Sequence, residues 1–325
     1  MAECPFKLND QLCDEMNIDS AGIITPSEDE HGKLRPEFLP GCPRINLNDP
    51  NMGAYLTKEL LTPELNEFEP YLWLVAKQDG THISSLTEQI VRGRNIIITE
   101  KPSLHLVWAH NRIFIKPLPL YLLSRPFWDY YLLSDKSPIA RSSQQDILQA
   151  ANGLLRSYSF LVQHESDFAI ATDEKVRLVP REISYTKFAQ LTRLLEGINN
   201  KDVSPRFHFG ELRLTRLNFW YKVFLLGFNY SKVDWQYSAY MARFYAPILF
   251  IFAIFSVVLA AMQVNLAVDD SQPIAVRNAY RGFSNFTLHF ILVVMAFLLV
   301  ILIIMVLREL IFAISDLIQK KRRNI

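Results

Sequence analysis

The feature that most restricts the fold of this chain is a charge-free stretch of 22 residues at 286–307, FTLHFILVVMAFLLVILIIMVL. A helix rises ~1.5 Å per residue, so it crosses a hydrocarbon core of ~30 Å in about 20 residues. Sixteen of the 21 residues at 287–307 are Leu, Ile, Val or Phe. Together such side chains favour insertion of the helix by on the order of 5–10 kcal/mol. The stretch therefore predicts a transmembrane helix.

A second charge-free stretch lies upstream at 244–268 and reads FYAPILFIFAIFSVVLAAMQVNLAV. Pro247 falls in its first turn, where a missing N–H costs little. Most of its polar residues lie near one end, so they do not have to reach the middle of a bilayer. The two stretches and the connection at 269–285 predict a membrane hairpin.

Around the predicted hairpin, lysines and arginines lie mainly on its two flanks, which a hairpin would place on the same side of a membrane. The tail contains the run at 320–323, KKRR, and five more basic residues precede the first stretch. The connection contains only Arg277 and Arg281, which Asp269 and Asp270 offset. By the positive-inside rule, we expect both termini in the cytosol and the connection on the opposite side.

Composition excludes several classes of function. Among 325 residues the net charge is only +1, so no general basic field favours nucleic acid as a partner. Cys4, Cys13 and Cys42 form no CxxC pair, so a zinc site is not expected. We expect no cofactor and no metal. The bilayer, and other proteins bound through the cytosolic domain, are the expected partners, and a homo-oligomer stays an open alternative.

The first forty residues contain nine acidic residues against Lys7, Lys33 and Arg35. A segment of this composition has too few apolar residues to offset its ordering entropy. We therefore expect a disordered acidic arm at 1–40.

The middle of the chain predicts an α+β, mostly helical cytosolic domain with a small antiparallel sheet. Runs rich in β-branched or apolar residues at 95–99, 104–108 and 112–116 predict strands, and the short gap at 109–111 suits a hairpin. Apolar residues recur at helical spacing after Pro138 as far as Val162. The segment at 210–226 fits either an interfacial helix leading to the membrane or a helix packed inside the domain.

These patterns divide the chain into seven segments. They are a disordered acidic arm at 1–40, a cytosolic α+β domain at 41–207, a juxtamembrane helical segment at 208–243, a first transmembrane helix at 244–268, an outer loop at 269–285, a second transmembrane helix at 286–307 and a basic cytosolic tail at 308–325.

Motifs that carry chemistry are largely missing from the sequence. It contains no GxxxxGK[ST], GxGxxG, GxSxG or HExxH. The residues Asp79-Gly80-Thr81-His82 superficially match a subtilisin-type histidine motif, but in that motif the His precedes the Gly. We therefore expect no catalytic residues and no enzyme activity.

Three polar residues lie in or beside the two apolar stretches. Gln263 and Asn265 end the first, and His289 lies one turn into the second. Amides there can line a pore mouth or form hydrogen bonds between the helices, and an ionisable group inside a membrane is a functional candidate. Gln263, Asn265 and His289 are the candidate sites for pore or helix–helix polar contacts.

The segments RGRNIIITEKPSLHLVW, LPLYLLSRPFWDYYL, FHFGELRLTRLNFWYKVF and AMQVNLA resemble a fungal family of uncharacterised membrane proteins with two spans. The resemblance covers roughly residues 36–315. Members are sometimes labelled subtilisin-like proteases. The resemblance implies a membrane location and two C-terminal spans, and it provides no catalytic residues.

The order of segments is also similar to that of CorA-type magnesium channels. Those channels have a Gly-Met-Asn signature where the first span ends, whereas this chain has Met262-Gln263-Val264-Asn265. We therefore expect a non-enzymatic, membrane-anchored interaction protein. A divergent CorA-like ion channel or transporter subunit is the alternative.

Overall fold

The chain divides into two compact units, Met1–Val233 and Asp234–Ile325. The computed structural model describes residues 4–28, 32–34, 37–225, 230–231, 237–268 and 273–323. The fold is α+β and mostly helical, with small antiparallel sheets in the first unit and two apolar helices in the second, as the sequence predicts.

The first unit contains eight short strands within the described residues. They are β1 (Met16–Ile18), β2 (Ile24–Pro26), β3 (Phe38–Leu39), β4 (Cys42–Asn46), β5 (Asn95–Ile98), β6 (Val107–Ala109), β7 (Arg112–Ile115) and β8 (Leu212–Arg213). The pairs β1–β2 and β3–β4 are antiparallel, and the other four strands form one sheet.

The four-stranded sheet has the order β5-β7-β6-β8. The predicted hairpin is its centre, because β6 and β7 are antiparallel with Ala109 opposite Arg112. His110 has a φ of 55°, which is the left-handed conformation that a tight hairpin turn uses. Both outer strands are parallel to their neighbours, so the sheet is mixed. Neither parallel pairing was predicted, and the one between β6 and β8 joins segments far apart in sequence.

The first unit also contains eight α-helices within the described residues. They are α1 (Met52–Leu60), α2 (Pro63–Glu67), α3 (Leu86–Val91), α4 (Arg125–Phe127), α5 (Arg141–Leu161), α6 (Glu165–Ala171), α7 (Tyr185–Leu195) and α8 (Leu214–Leu225), with single turns of 3-10 helix and a π-helical turn at Trp128–Leu133 between them.

Helix α5 lies at the centre of the first unit. Fourteen of its 21 residues are buried, although its sequence predicts an amphipathic helix with one buried face. It packs against α1, α7 and the 3-10 turn at Pro205–His208. Several neighbours cover it at once, so even polar residues such as Asn152, Arg156 and Ser157 are buried.

The expectation of a disordered acidic arm at 1–40 is wrong for the described part of that segment. Phe6, Met16, Ile24 and Leu39 are all buried in the main core, and the edge of the Phe6 ring meets Trp128 at 6.1 Å between centroids. These four side chains point inward, whereas other apolar residues of the segment, such as Leu8 and Leu34, and most of its described acidic residues face water. Average composition does not reveal this alternation.

The predicted domain boundary at 207/208 is also wrong. Leu212, Leu214 and Leu217 are buried in a second apolar cluster with Phe68 and Leu72. The start of the predicted juxtamembrane segment is therefore part of the folded first unit. Of the two alternatives for 210–226, packing inside the domain is confirmed for the face of α8 that carries these leucines.

The second unit contains the helices α9 (Tyr237–Val268) and α10 (Ile274–Arg323). The predicted outer loop at 269–285 is wrong over most of its length, because α10 begins at Ile274. The predicted tail at 308–325 is helical to Arg323. Polar residues alone do not interrupt a helix, and the one proline of this region, Pro273, stands just before the first turn, where proline is tolerated.

Three glycines allow segments of the first unit to approach closely. A Cβ on Gly153 would lie 2.1 Å from the ring of Phe207, and one on Gly210 would lie 2.1 Å from the carbonyl oxygen of His82. A Cβ on Gly80 would lie 2.6 Å from the carbonyl oxygen of Phe207. The first contact brings the turn that contains Phe207 against α5, and the other two bring the residues at 80–82 against those at 207–210.

We expect Gly153→Ala to destabilise the first unit by about 1–3 kcal/mol, since the ring of Phe207 has to move. Urea unfolding of the full chain in detergent, followed by tryptophan fluorescence, measures the change. Gly53→Ala is the matched control, because its Cβ would meet Ile139 at an ordinary 3.5 Å and alanine favours the helix by up to about 1 kcal/mol. Equal stability of the two variants would contradict this packing.

Candidate functional site

The helices α9 and α10 expose large apolar side chains. Their candidate spans, Tyr245–Val268 and Ile274–Val300, are long and apolar enough to cross a membrane. In the most apolar part of each span, 0% of the residues of the first and 6% of those of the second are buried. Leu249, Phe250 and Val257 are all more than 60% exposed. A core helix of a soluble protein buries such residues. These helices therefore present an apolar surface that suits a hydrocarbon environment.

The two helices contact each other through aromatic rings near the middle of the unit. Phe255 of α9 lies 5.9 Å from Phe283 and 5.5 Å from Phe290 of α10, measured between ring centroids. Because aromatic pairs at this separation attract each other, the contacts support an antiparallel pairing of the two helices.

The three predicted site residues have different environments. Asn265 donates a hydrogen bond from Nδ2 to the hydroxyl of Tyr280 at 2.7 Å. His289 donates from Nδ1 to the carbonyl oxygen of Asn285, one turn earlier in its own helix, at 2.7 Å. The structure therefore places Asn265 in a helix–helix contact and gives His289 a partner within α10.

Gln263 lines a groove of about 440 Å³ between α9 and α10. The wall consists of Leu259, Met262, Gln263, Leu266, Arg277, Tyr280, Arg281 and Ser284. The polar groups of this wall are two guanidinium groups, an amide and two hydroxyl groups. They supply mainly hydrogen-bond donors, so the groove suits an oxyanion better than a cation.

Sequence reasoning missed the contribution of α10, because it treated these residues as a loop. The helical spacing of Arg277, Tyr280, Arg281 and Ser284 was the available signal.

In the first unit, His105 and Ser157 resemble a base–nucleophile pair, but their hydrogen bonds have the wrong direction. The Nδ1 of His105 accepts from the N–H of Lys116 at 3.1 Å, so Nε2 carries the proton and donates to Ser157 Oγ at 2.8 Å. The Ser157 hydroxyl donates to the carbonyl oxygen of Leu154 at 2.6 Å. A general base has to accept the hydroxyl proton. Both residues are 2% exposed, and the pair is structural.

Glu211 is a buried carboxylate with a complete set of partners. Its Oε1 accepts from the N–H of Ser84 at 2.8 Å and from Gln89 at 2.6 Å, and its Oε2 lies 2.6 Å from Nη1 of Arg94. Burial raises the pKa of Glu211, but these hydrogen bonds and the Arg94 charge outweigh it, so the pKa is lowered overall. The carboxylate joins β8 to the start of α3.

Ser85 also has a structural role, although it lies near the subtilisin-like residues noted in the sequence. Its hydroxyl oxygen accepts from the N–H of Glu88 at 3.4 Å and caps α3. Asp79 accepts from the N–H and the hydroxyl of Thr81 within its own turn. The hydrogen bonds that Asp79 accepts from the hydroxyl and the N–H of Thr81 lower the pKa of its carboxyl group. These bonds give the motif-like residues a role in the local turns.

Two buried arginines bind main-chain carbonyl groups. Arg206 donates to the carbonyl oxygens of Phe209, Gly210 and His105 at 2.8–3.1 Å. Burial lowers the pKa of Arg206 to about 10, so it stays charged at neutral pH. Arg156 donates to the carbonyl oxygens of Ile198 and Phe207 at 3.2 and 2.6 Å. Both arginines hold the segment between α7 and β8.

A second groove, of about 450 Å³, lies in the first unit beside Thr62 and Tyr230. Its carboxylates include Glu59 and Glu100, and both already lie within 3.4 Å of the ammonium group of Lys116. Among the described residues, no group of three or more His, Cys, Asp or Glu could hold a metal ion. The groove therefore has charges of both signs and no metal-binding set.

The buried imidazole of His105 predicts a pH dependence of stability. Burial, with nearby Arg206 and Lys116, holds its pKa well below the usual value. The unfolded chain binds this proton near pH 6.5 and the folded chain does not. Below pH 6.5 stability should therefore fall with decreasing pH, by up to ~1.4 kcal/mol per pH unit from this group.

Urea unfolding between pH 5 and pH 8 tests this expectation. His105→Asn should show a shallower loss towards low pH, whatever its stability at neutral pH, because the titrating group is gone. His82→Asn is the control, since His82 is exposed, and it should retain the slope of the parent. An unchanged slope in His105→Asn would show that another group causes the dependence.

The chain matches no protein of curated function and no solved structure. A model of a family of unknown function (DUF6601) matches residues 52–296, which include α1 to α9 and the first half of α10. The match covers three quarters of the chain and includes most of the first unit and part of the second. The chain therefore belongs to this family of unknown function.

Proposed function

We propose that this protein is an integral membrane protein with two spans and that it acts as a non-enzymatic, membrane-anchored interaction protein. The helices α9 and α10 are the anchor, and both termini face the cytosol. The first unit is the part that binds other proteins.

The observation that carries this proposal is the exposure of apolar side chains along both helices. Val257 of α9 and Val293 of α10 are 69% and 66% exposed. Exposure of such long apolar surfaces to water would cost roughly 25 cal/mol of free energy for each Å². A bilayer removes this cost, and the basic flanks of the hairpin favour the proposed orientation.

A role in binding rather than in catalysis is supported by the buried polar groups of the first unit. His105, Glu211 and Arg206 each have hydrogen-bond partners that join neighbouring segments. Their perturbed pKa values follow from this structural burial. A perturbed pKa also occurs in structural networks, so it does not by itself indicate an active site.

The N-terminal segment supports a protein partner. It packs on the domain through Phe6 and Met16 but leaves Leu8, Ile23 and Leu34 between 45% and 64% exposed. These apolar side chains lie in a segment rich in carboxylates. Apolar contacts surrounded by negative charge suit a partner with a basic surface.

The alternative, a CorA-like channel or transporter subunit, receives less support. Asn265 is hydrogen-bonded to Tyr280 within the same hairpin. The groove beside Gln263 contains Arg277 and Arg281, and positive charges at a pore mouth disfavour cations. Two helices in one chain cannot enclose a pore, so this alternative also needs a homo-oligomer.

We expect the protein to remain in the membrane pellet after extraction of cell membranes with alkaline carbonate. A variant with Phe250→Arg, Phe252→Arg and Val257→Arg in α9 and Leu292→Arg, Val293→Arg and Phe297→Arg in α10, all at exposed positions, should be released, because three charges in a span cost roughly 8–10 kcal/mol, about as much as its apolar residues contribute. Leu8→Arg is the matched control, since Leu8 is exposed in the first unit, and it should stay in the pellet. Release of the parent protein would disprove the anchor.

Protease digestion of sealed microsomes, whose outer face is cytosolic, tests the orientation. Tags at Met1 and Ile325 should be digested, and a tag between Asp270 and Ser271 should be protected. The reverse pattern would show that the hairpin has the opposite orientation.

We expect Asn265→Ala and Tyr280→Phe to have the same mild effect, because each removes the same hydrogen bond, worth ~0.6 kcal/mol on average in membrane proteins. Both should insert and accumulate like the parent. Magnesium uptake in cells deficient in magnesium transport is the deciding measurement. Uptake by the parent that Asn265→Ala abolishes and Tyr280→Phe retains would favour the channel.

A further inference from the structure

An aromatic patch lies on and beside α8. It consists of Phe219 and Val223 on the outer side of the helix, Trp220 and Phe224 at the border with the second apolar cluster, and Tyr71 of the 3-10 segment Glu69–Leu74. Phe219 and Val223 are 59% and 51% exposed. The rings of Tyr71 and Phe224 stack at 4.2 Å, and those of Trp220 and Phe224 at 5.7 Å. The patch is therefore a continuous surface of ordered rings and not a set of scattered apolar residues.

The helical spacing explains how one helix both packs and presents this surface. Leu214 and Leu217 face the second apolar cluster. At about 100° per residue, Phe219 and Val223 lie on the opposite side of α8. A helix that only completed the core would carry polar residues at these two positions, so the exposed patch favours a contact outside the first unit.

Basic residues lie next to the patch. Arg216 is one turn before Phe219 and Trp220, and Lys222 is adjacent to Val223; both are exposed. Arg213, just before α8, is exposed as well, and its guanidinium group lies 5.0 Å from the ring centroid of Trp108. Aromatic rings interspersed with arginine and lysine are typical of surfaces that lie in the headgroup region of a bilayer.

The sequence connects this surface closely to the proposed anchor. Only eleven residues separate Leu225, the end of α8, from Tyr237, the start of α9. A fully extended segment of this length spans at most about 40 Å. If α9 enters the bilayer, the patch stays within that distance of the membrane, where even weak contacts are populated because the effective concentration is high.

We propose that the aromatic patch binds the headgroup region of the same bilayer that holds α9 and α10, and so orients the first unit on the membrane. This inference rests on the proposed anchoring. Phe219, Val223 and Phe224 enter the boundary between headgroups and acyl chains. Arg216 and Lys222 bind lipid phosphates, which strengthens the contact on anionic membranes.

A fluorescent label on the patch tests this contact in the full chain. In a background with the three native cysteines replaced, Val223→Cys carries an environment-sensitive dye, and the protein is reconstituted into phosphatidylcholine vesicles with or without phosphatidylserine. Val91→Cys is the matched control, because Val91 is 82% exposed on α3, which packs against β5 at the other edge of the sheet.

Lipids with a quenching group near the headgroup should quench the dye at 223 several-fold more than the dye at 91. The quenching should increase with phosphatidylserine and decrease in Arg216→Gln, Lys222→Gln. Equal quenching at both positions, in protein that resists carbonate extraction, would overturn this inference and leave the anchor intact. Release by carbonate would instead overturn the anchor.

A soluble quencher, iodide, separates a lipid contact from a protein contact. If the patch lies on the bilayer, the dye at 223 is protected from iodide and quenched by the labelled lipid. Protection from iodide without quenching by lipid would mean that a protein, either a second copy of this chain or another partner, covers the patch, and it would overturn the proposal.

Discussion

The first unit depends on two buried guanidinium groups. They donate to main-chain carbonyl oxygens the hydrogen bonds that water would otherwise provide. Arg206 and Arg156 bind five carbonyl oxygens in and around the segment between α7 and β8. That segment has little regular structure of its own, and buried carbonyl groups need hydrogen-bond partners. The arginines supply several donors each in a fixed plane, which a lysine cannot do. They therefore allow an irregular segment to pass through the core and deliver β8 to the sheet.

The position of β8 determines where the next helix lies. Once Leu212 pairs with Val107, α8 starts at a defined place and orientation on the second apolar cluster. Leu214 and Leu217 face inward, which leaves Phe219 and Val223 outward. The aromatic patch is therefore a consequence of sheet pairing, and its location next to the apolar helices in sequence results from the order of elements in the chain.

In the described part of the second unit, the small number of polar groups along α9 and the first half of α10 has a stronger effect than any single contact. Over most of α9 and the first half of α10, apolar side chains face outward. Polar contacts such as Asn265 with Tyr280 occur near the ends of the pair. This distribution matches an environment that is apolar at the centre and polar at the boundary.

The sequence alone determined the two apolar helices, the β6–β7 hairpin and the helix at α5, because each depends on local patterns of hydropathy and turn residues. Tertiary structure alone decided that the described part of 1–40 packs on the core and that the sheet has parallel outer strands. It also decided the roles of His105, Glu211 and Arg206, since these depend on segments far apart in sequence. Local patterns show which residues avoid water. Only the packing of the folded chain decides which neighbour covers each of them.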